Sequence, residues 1–253
     1  TPGPEPVPRG FIQVLARTGG AATPPPNASG RLELARWLVQ PGNPLTARVL
    51  VNRIWQAHFG EGLVRTPDNF GVRGETPSHP GLLDWLAPEF IRSGWDLKRL
   101  HRVMLTSETW QQASTSTPEG LAADPENRLL SRFPKLRLEA EMIRDGLLAV
   151  SGQLDLEVGG SLVRWKNNEY VPRDDPSTFT STRRTLYLPI VRDRVYDALS
   201  IFDFANPSVG VSKRTATTVA HQALFFMNSP LVKQAAQSLA ATWSRPAATT
   251  SGR

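Results

Sequence analysis

Cysteine is absent from all 253 residues. That excludes disulfides, zinc fingers, iron-sulfur clusters, thiol catalysis and covalent c-type haem attachment within this segment. Acidic residues are scarce relative to basic ones, 23 against 29, which leaves a formal charge of +6. Long apolar runs are missing too: no stretch reaches the roughly 18–20 residues a membrane helix needs, so membrane insertion is not expected. The opening Thr1-Pro2-Gly3-Pro4 has neither an initiator Met nor the charged-then-apolar pattern of a signal peptide, as expected of a piece of a longer protein.

What is present is an apolar content of 40%, typical of globular chains. Twenty-four of the 29 basic residues are arginine, whose planar fork suits carboxylate, phosphate or sulfate. Anionic partners are therefore favoured. The competing reading is compositional, because GC-rich coding also yields Arg, Ala and Pro, and dispersed arginines ordinarily cover solvated helix faces. Specific nucleic-acid binding is not expected, since the charge is dispersed and no reader motif occurs.

Seven of the first 30 residues are proline, and 1–28 reads as an extended linker with one apolar docking segment, Phe11-Ile12-Gln13-Val14-Leu15. Residues 242–253 read as a flexible tail. Between them, 29–241 reads as one mainly helical domain with a minor extended element and long ordered loops. A short helix covers Arg31 to Gln40. Asn43 caps the next, with Pro44 at its first position, Ala47, Leu50, Val51, Ile54, Trp55 and His58 on one face, and Gly60 at its end. Pro80 opens a third helix that buries Leu82, Leu83, Leu86 and Phe90 before Gly94, and Asp96 caps a fourth with a stripe of Leu97, Leu100, Met104 and Leu105. Leu121 to Phe133 reads as a polar connection.

Further on, Arg137 to Val150 is a helix with Ala140, Ile143, Leu147 and Val150 inward. Its Arg137, Glu141, Arg144 and Asp145 form a ladder with spacings of stabilising intrahelical ion pairs. Gly159 to Arg183 is a long Gly-, Asn-, Asp- and Pro-rich excursion. Arg184 to Val191 has strand character, with Pro189 confining it to an edge. Thr217 and Thr218 cap a helix through Phe226, and a last helix follows Asn228-Ser229-Pro230 to about Ala241.

Several ordered motifs carry a resemblance. Gly30-Arg31-Leu32-Glu33-Leu34-Ala35-Arg36-Trp37-Leu38, Val51-Asn52-Arg53-Ile54-Trp55, Gly62-Leu63-Val64-Arg65-Thr66-Pro67-Asp68-Asn69-Phe70-Gly71 and His79-Pro80 with Leu83-Asp84-Trp85-Leu86 come first. Ser93-Gly94-Trp95, Arg137-Leu138-Glu139-Ala140-Glu141, Arg184-Thr185-Leu186-Tyr187-Leu188-Pro189, Phe202-Asp203-Phe204 and Asn228-Ser229-Pro230 follow. Together they resemble the planctomycete-specific domain family, a C-terminal domain of unknown function in large exported proteins that often carry a cytochrome c-like domain upstream. The resemblance implies an extracytoplasmic setting, other domains of the same polypeptide as partners, and haem only in an upstream domain. No cofactor is expected in this segment.

No residue set forms a recognised catalytic constellation. Gly-x-Ser-x-Gly is absent, and Val158-Gly159-Gly160-Ser161 lacks the lysine of a phosphate loop. His58, His79, His101 and His221 show no metal-ligand spacing, and no metal site is expected. The most suggestive group is Arg65, Asp68, Asn69, Arg73, His79, Asp84 and Trp85, in and beside one loop. Its arginines suit an anionic sugar, its carboxylates acid or base work, and its tryptophan ring stacking. The same residues suit a structural role, pinning a Gly-rich loop through Arg-carboxylate pairs, and that reading is favoured. A second group is Arg184, Asp203, Arg214, Gln222 and Asn228, with Arg183 beside it and Asp203 expected to pair with Arg214. The function expected is a noncatalytic interaction or scaffold module accompanying a cytochrome c-like domain. The alternative is an enzyme or binding module acting on acidic or sulfated polysaccharide.

Overall fold

A computed structural model describes Gly10, Ile12 and residues 27–160, 162, 179–192 and 195–244. The Phe11-to-Leu15 docking segment, the Pro-rich linker up to residue 26, most of the Gly159-to-Arg183 excursion and the end of the tail lie outside these. The described residues are 48% helical with almost no strand. Where sequence patterning draws one unit over 29–241, the backbone divides into two compact units, Thr1–Leu136 and Arg137–Arg253.

In the first unit, α1 (Arg31–Val39) buries only Trp37. The next helix, α2, spans Thr46–Phe59 and not the expected start at Pro44. Its N-cap is Leu45 in place of the expected Asn43, whose Oδ1 instead fixes the turn leading in by accepting from the amides of Leu45 (3.0 Å) and Thr46 (3.2 Å). The inward face of α2 is Ala47, Val51, Asn52, Trp55 and Phe59. That face is rotated from the expected one: Leu50 and Ile54 are only partly buried, and polar Asn52 lies fully inside.

Asn52 is inside because it acts as a piece of backbone. Its amide accepts from Val64 N–H at 2.8 Å and donates to Val64 C=O at 3.0 Å, closing both polar groups of a buried loop residue. Gly62 is required alongside, since a Cβ there would fall 2.6 Å from both Asn52 Nδ2 and the Val64 carbonyl.

Helix α3 (Pro80–Arg92) buries Leu83, Leu86, Ala87 and Phe90. It ends at Gly94, where the amides of Gly94 and Trp95 return to the carbonyls of Ile91 and Phe90. Helix α4 (Leu97–Leu105) is capped by Asp96, which accepts from Arg99 N–H at 3.1 Å. Its buried pair is Leu100 and Met104, while Leu97 and Leu105 are exposed. Four expected stripe positions reduce to two, since in this nine-residue helix only Leu100 and Met104 of the stripe, four residues apart, reach the core. Short helices α5 (Glu108–Gln111) and α6 (Pro118–Ala123) follow. Aromatic rings join the aliphatic core: buried Trp55 stacks on Phe59 at 4.1 Å, and partly buried Trp110 meets Phe133 edge-on at 4.8 Å. Full burial of a ring such as Phe59 is worth roughly 1.5–3 kcal/mol.

The second unit is built on α7 (Ala140–Val150), which buries Ala140, Arg144 and Leu148. Val150 is exposed, contrary to expectation, because buried Arg144 reorients the inner face. The expected strand at Arg184 to Val191 is a 3-10 turn at Thr185–Tyr187; the extended pairing near it is an isolated bridge between Asp155 and Arg183. Helices α8 (Asp197–Ser200), α9 (Ala220–Asn228) and α10 (Pro230–Trp243) complete the unit. Neither Thr217 nor Thr218 caps α9, whose N-cap is Val219 without a side-chain bond. Leu199, Phe202 and Ala140 form the core.

Replacing Asn52 by Ala strands the buried amide and carbonyl of Val64, so Asn52→Ala is expected to lower unfolding free energy by about 2–5 kcal/mol. Urea denaturation of the variant measures it.

Candidate functional site

The loop after α2 is held by short side chains that motif reading passed over. Thr66 is its hub: its hydroxyl donates to Asn69 C=O (3.0 Å) and accepts from Glu75 N–H (2.9 Å). Gly74 fits against this hub, as a Cβ there would lie 1.7 Å from Asn69 O. Arg65 turns to Glu126, donating to its carboxylate at 3.1 Å and its carbonyl at 3.3 Å. Glu75 meets Arg128 at 3.5 Å. The segment receiving them is itself fixed by Asp124, whose two carboxylate oxygens each accept a backbone amide, from Arg128 and Leu129, at 2.8 Å. Burial raises the Asp124 pKa, but these amides, with Arg132 and Arg65 nearby, outweigh it and hold the group below its ordinary value.

The rest of the first candidate group divides between bonded and open residues. Asp84 accepts two bonds from Arg48, at 2.8 and 3.0 Å, and His79 Nδ1 lies 3.0 Å from Ser78 Oγ. Asn69 contributes its backbone to the loop. Asp68 and Arg73 are exposed and engage no partner among the described residues, and Trp85 is 51% exposed. Arg48, Thr66, Asp124 and Glu126 were missed because their importance comes from partners 3 to 61 positions away.

His58 and His101 form a pair, Nε2 to Nδ1 at 2.7 Å, with His58 also edge-on to Trp110 at 5.4 Å. Burial first, and the neighbouring His101 second, hold His58 below the ordinary 6.5. Among the described residues, no group of three or more His, Asp or Glu is placed to hold a metal ion.

The second candidate group belongs to the second unit. Asp203 does not pair with Arg214. Its carboxylate accepts from Thr217 N–H (2.9 Å), Thr217 Oγ1 (2.8 Å) and the Arg137 guanidinium. The Thr217 amide leads in pushing the Asp203 pKa down, with burial opposing and Arg137 assisting. Arg214 instead forms a fork on Glu141, at 2.7 and 2.9 Å, and also reaches Glu139 at 3.3 Å. The ladder expected along α7 is thus absent: Arg137 and Glu141 look outward to other segments, and Arg144 keeps only Asp145, at 3.4 Å. Buried Arg144 donates to the carbonyls of Arg183 (2.9 Å) and Ser181, and to Thr185 Oγ1 (3.1 Å). Asp145 takes the Thr185 amide at 2.8 Å.

Gln222 is buried and donates to Ile201 C=O at 3.1 Å, and Asn228 bonds back to Leu224 C=O within its own helix. Arg183 is buried with its guanidinium 4.2 Å over the Tyr187 ring. Arg184 is exposed and lines an open groove of about 730 Å³ with Met142, Asp145, Leu186, Ile190 and Phe204. The group is therefore several separate braces, with Arg184 alone facing the groove unpaired among the described residues.

The profile of a protein family of unknown function, PSD1 (DUF1553), matches residues 30–251. The chain belongs to that family. No curated protein and no solved structure matches it. The PSD1 match covers both units, so the braces at Asn52, Thr66, Asp203 and Arg144 all lie inside the family domain. No helix among the described residues of this PSD1 chain is long and apolar enough to cross a membrane.

Two outcomes test these assignments. Asp203 sits at φ 60°, a conformation Asn also tolerates, so Asp203→Asn removes charge without backbone strain. It is expected to destabilise by about 1.5–3 kcal/mol at neutral pH. Because the folded pKa is lowered, that stabilisation is present above the unfolded value and lost as pH falls through the folded one, so variant and parent converge in acid. For His58 a lowered folded pKa means that the unfolded chain binds more protons. Stability is then full above the ordinary 6.5 and falls as pH drops below it, and His58→Phe flattens that decline in pH-dependent melting.

Proposed function

We propose that this chain is a noncatalytic interaction or scaffold module of a longer extracytoplasmic polypeptide that also carries a cytochrome c-like domain. The observation that supports it is where the candidate carboxylates go. Asp84 is engaged by Arg48 and Asp203 by Thr217 and Arg137, whereas cationic Arg73 and Arg184 stay exposed. Acid–base work on a glycosidic bond requires two carboxylates facing one substrate, and Asp68 is the one acid of the candidate groups without a bonded partner among the described residues. Exposed guanidinium groups serve recognition instead.

The alternative, action on acidic or sulfated polysaccharide, has its own support in exposed Arg73 and half-exposed Trp85, a cation and a ring of the kind sugars bind. Incubation with sulfated, carboxylated and neutral polysaccharides at low and physiological salt separates the two. The scaffold reading expects no turnover with any of them. Turnover that Asp68→Asn or Asp84→Asn abolishes, at unchanged melting temperature, would sink it. Saturable, glycan-selective binding that survives salt supports the alternative, and Trp85→Ala is then expected to weaken it about 2- to 10-fold.

A further inference from the structure

One side of α7 is turned away from its core. Ala140, Arg144 and Leu148 are buried, so at helical spacing Met142, Gly146 and Ala149 fall on the opposite side. Two of those three carry little or no side chain, and a Cβ placed on Gly146 would meet nothing within 4 Å. All three line the groove of about 730 Å³, a volume within the roughly 300–1,000 Å³ of small-molecule sites. The rest of its wall is largely apolar. Leu154, Leu188 and Phe204 lie at least partly buried, while Leu186 is 76% and Ile190 42% exposed.

The polar side chains of the lining are Glu139, Glu141, Asp145, Thr185 and Arg184, and all but the last are committed. Glu141 and Glu139 both lie on Arg214. Asp145 accepts the Thr185 amide at 2.8 Å and its hydroxyl at 2.6 Å, and that hydroxyl accepts in turn from Arg144. Arg184 is exposed, and its guanidinium engages no partner among the described residues. An occupant therefore meets apolar walls and one uncommitted group, a cationic donor. A peptide would bring a row of amides and carbonyls against those walls, and a sugar a set of hydroxyls, and polar groups left unmet there are costly. An alkyl chain ending in one anion presents a single polar group to a groove that offers a single one, and the guanidinium fork fits a carboxylate.

We propose that this groove of the second unit binds a single-chain amphiphile of the fatty-acid type, its alkyl chain along Met142, Gly146 and Ala149 and its carboxylate on Arg184. The site lies apart from the Arg65-to-Asp84 loop, and stands whether the chain is a scaffold module or acts on polysaccharide.

Calorimetric titration of the 253-residue chain with dodecanoate, decanoate and octanoate, each below its micelle concentration, tests this. Saturable binding of one dodecanoate per chain is expected, with affinity falling roughly 2- to 4-fold for each methylene removed. Gly146→Leu fills the groove at a position with room for a side chain, and replacing a glycine in a helix interior does not weaken the helix. It is expected to cut dodecanoate affinity about tenfold or more at an unlowered melting temperature, and Ala149→Leu serves in its place should it unfold. Arg184→Gln is expected to weaken dodecanoate about 5- to 20-fold. Absence of saturable binding overturns the proposal, as does dodecanoate binding that the groove-filling variant or Arg184→Gln leaves unchanged. Equal or tighter binding of dodecyltrimethylammonium, drawn by two glutamates that share one arginine, overturns it as well.

Discussion

Backbone amides and carbonyls outside helices must find partners, and the described residues, with almost no strand, form no sheet ladder to supply them. That constraint runs through both units. Asn52 closes Val64, Thr66 closes Asn69 and Glu75, and Asp124 closes Arg128 and Leu129. In the second unit Asp203 closes Thr217, Asp145 closes Thr185, and Arg144 closes Arg183 and Ser181. Side chains that look chemically active in sequence are in this way occupied with holding loops.

The distinction matters energetically because the braces differ in burial. Asn52 and Arg144 are almost wholly removed from water, so a lost partner there exposes nothing to solvent and the full desolvation penalty is felt. Arg48 with Asp84, and Arg65 with Glu126, are partly solvated pairs, which typically contribute about 0–1 kcal/mol and set loop geometry more than stability. Arg144 is also where polar and apolar requirements meet on one helix. Its stem packs while its head reaches three residues of one segment, Ser181, Arg183 and Thr185, which is why α7 buries Arg144 and Leu148 in place of a purely apolar stripe.

Under the proposed function, recognition falls to what the braces leave over. Arg73 and Arg184 are exposed and their side chains engage no partner among the described residues, and Trp85 keeps half its ring in water. All of them lie within the stretch that assigns the chain to its family of unknown function.

Helices α1 to α4, their ends at Gly60 and Gly94 and the cap at Asp96 were legible in the sequence, because caps, glycines and apolar spacing act within a turn or two of the chain. Asn43 marks the approach to α2, but the N-cap position falls to Leu45, and Asn43 holds the turn before it. Asn52 could have been suspected, as a polar residue set among apolar ones with a glycine ten positions on. The destinations of Arg65, Arg137, Arg214 and Asp203 could not, because each depends on segments 61, 66, 73 and 14 residues distant being brought together. The Arg184 segment likewise reads as a strand by propensity, yet β structure requires a neighbouring strand, and Arg144 and Asp145 take its polar groups instead. Local chemistry in the sequence determined which residues become helix and to which family the chain belongs. Only tertiary structure decided which polar side chains are braces and which remain open to a partner, since that choice is made by proximity across the chain.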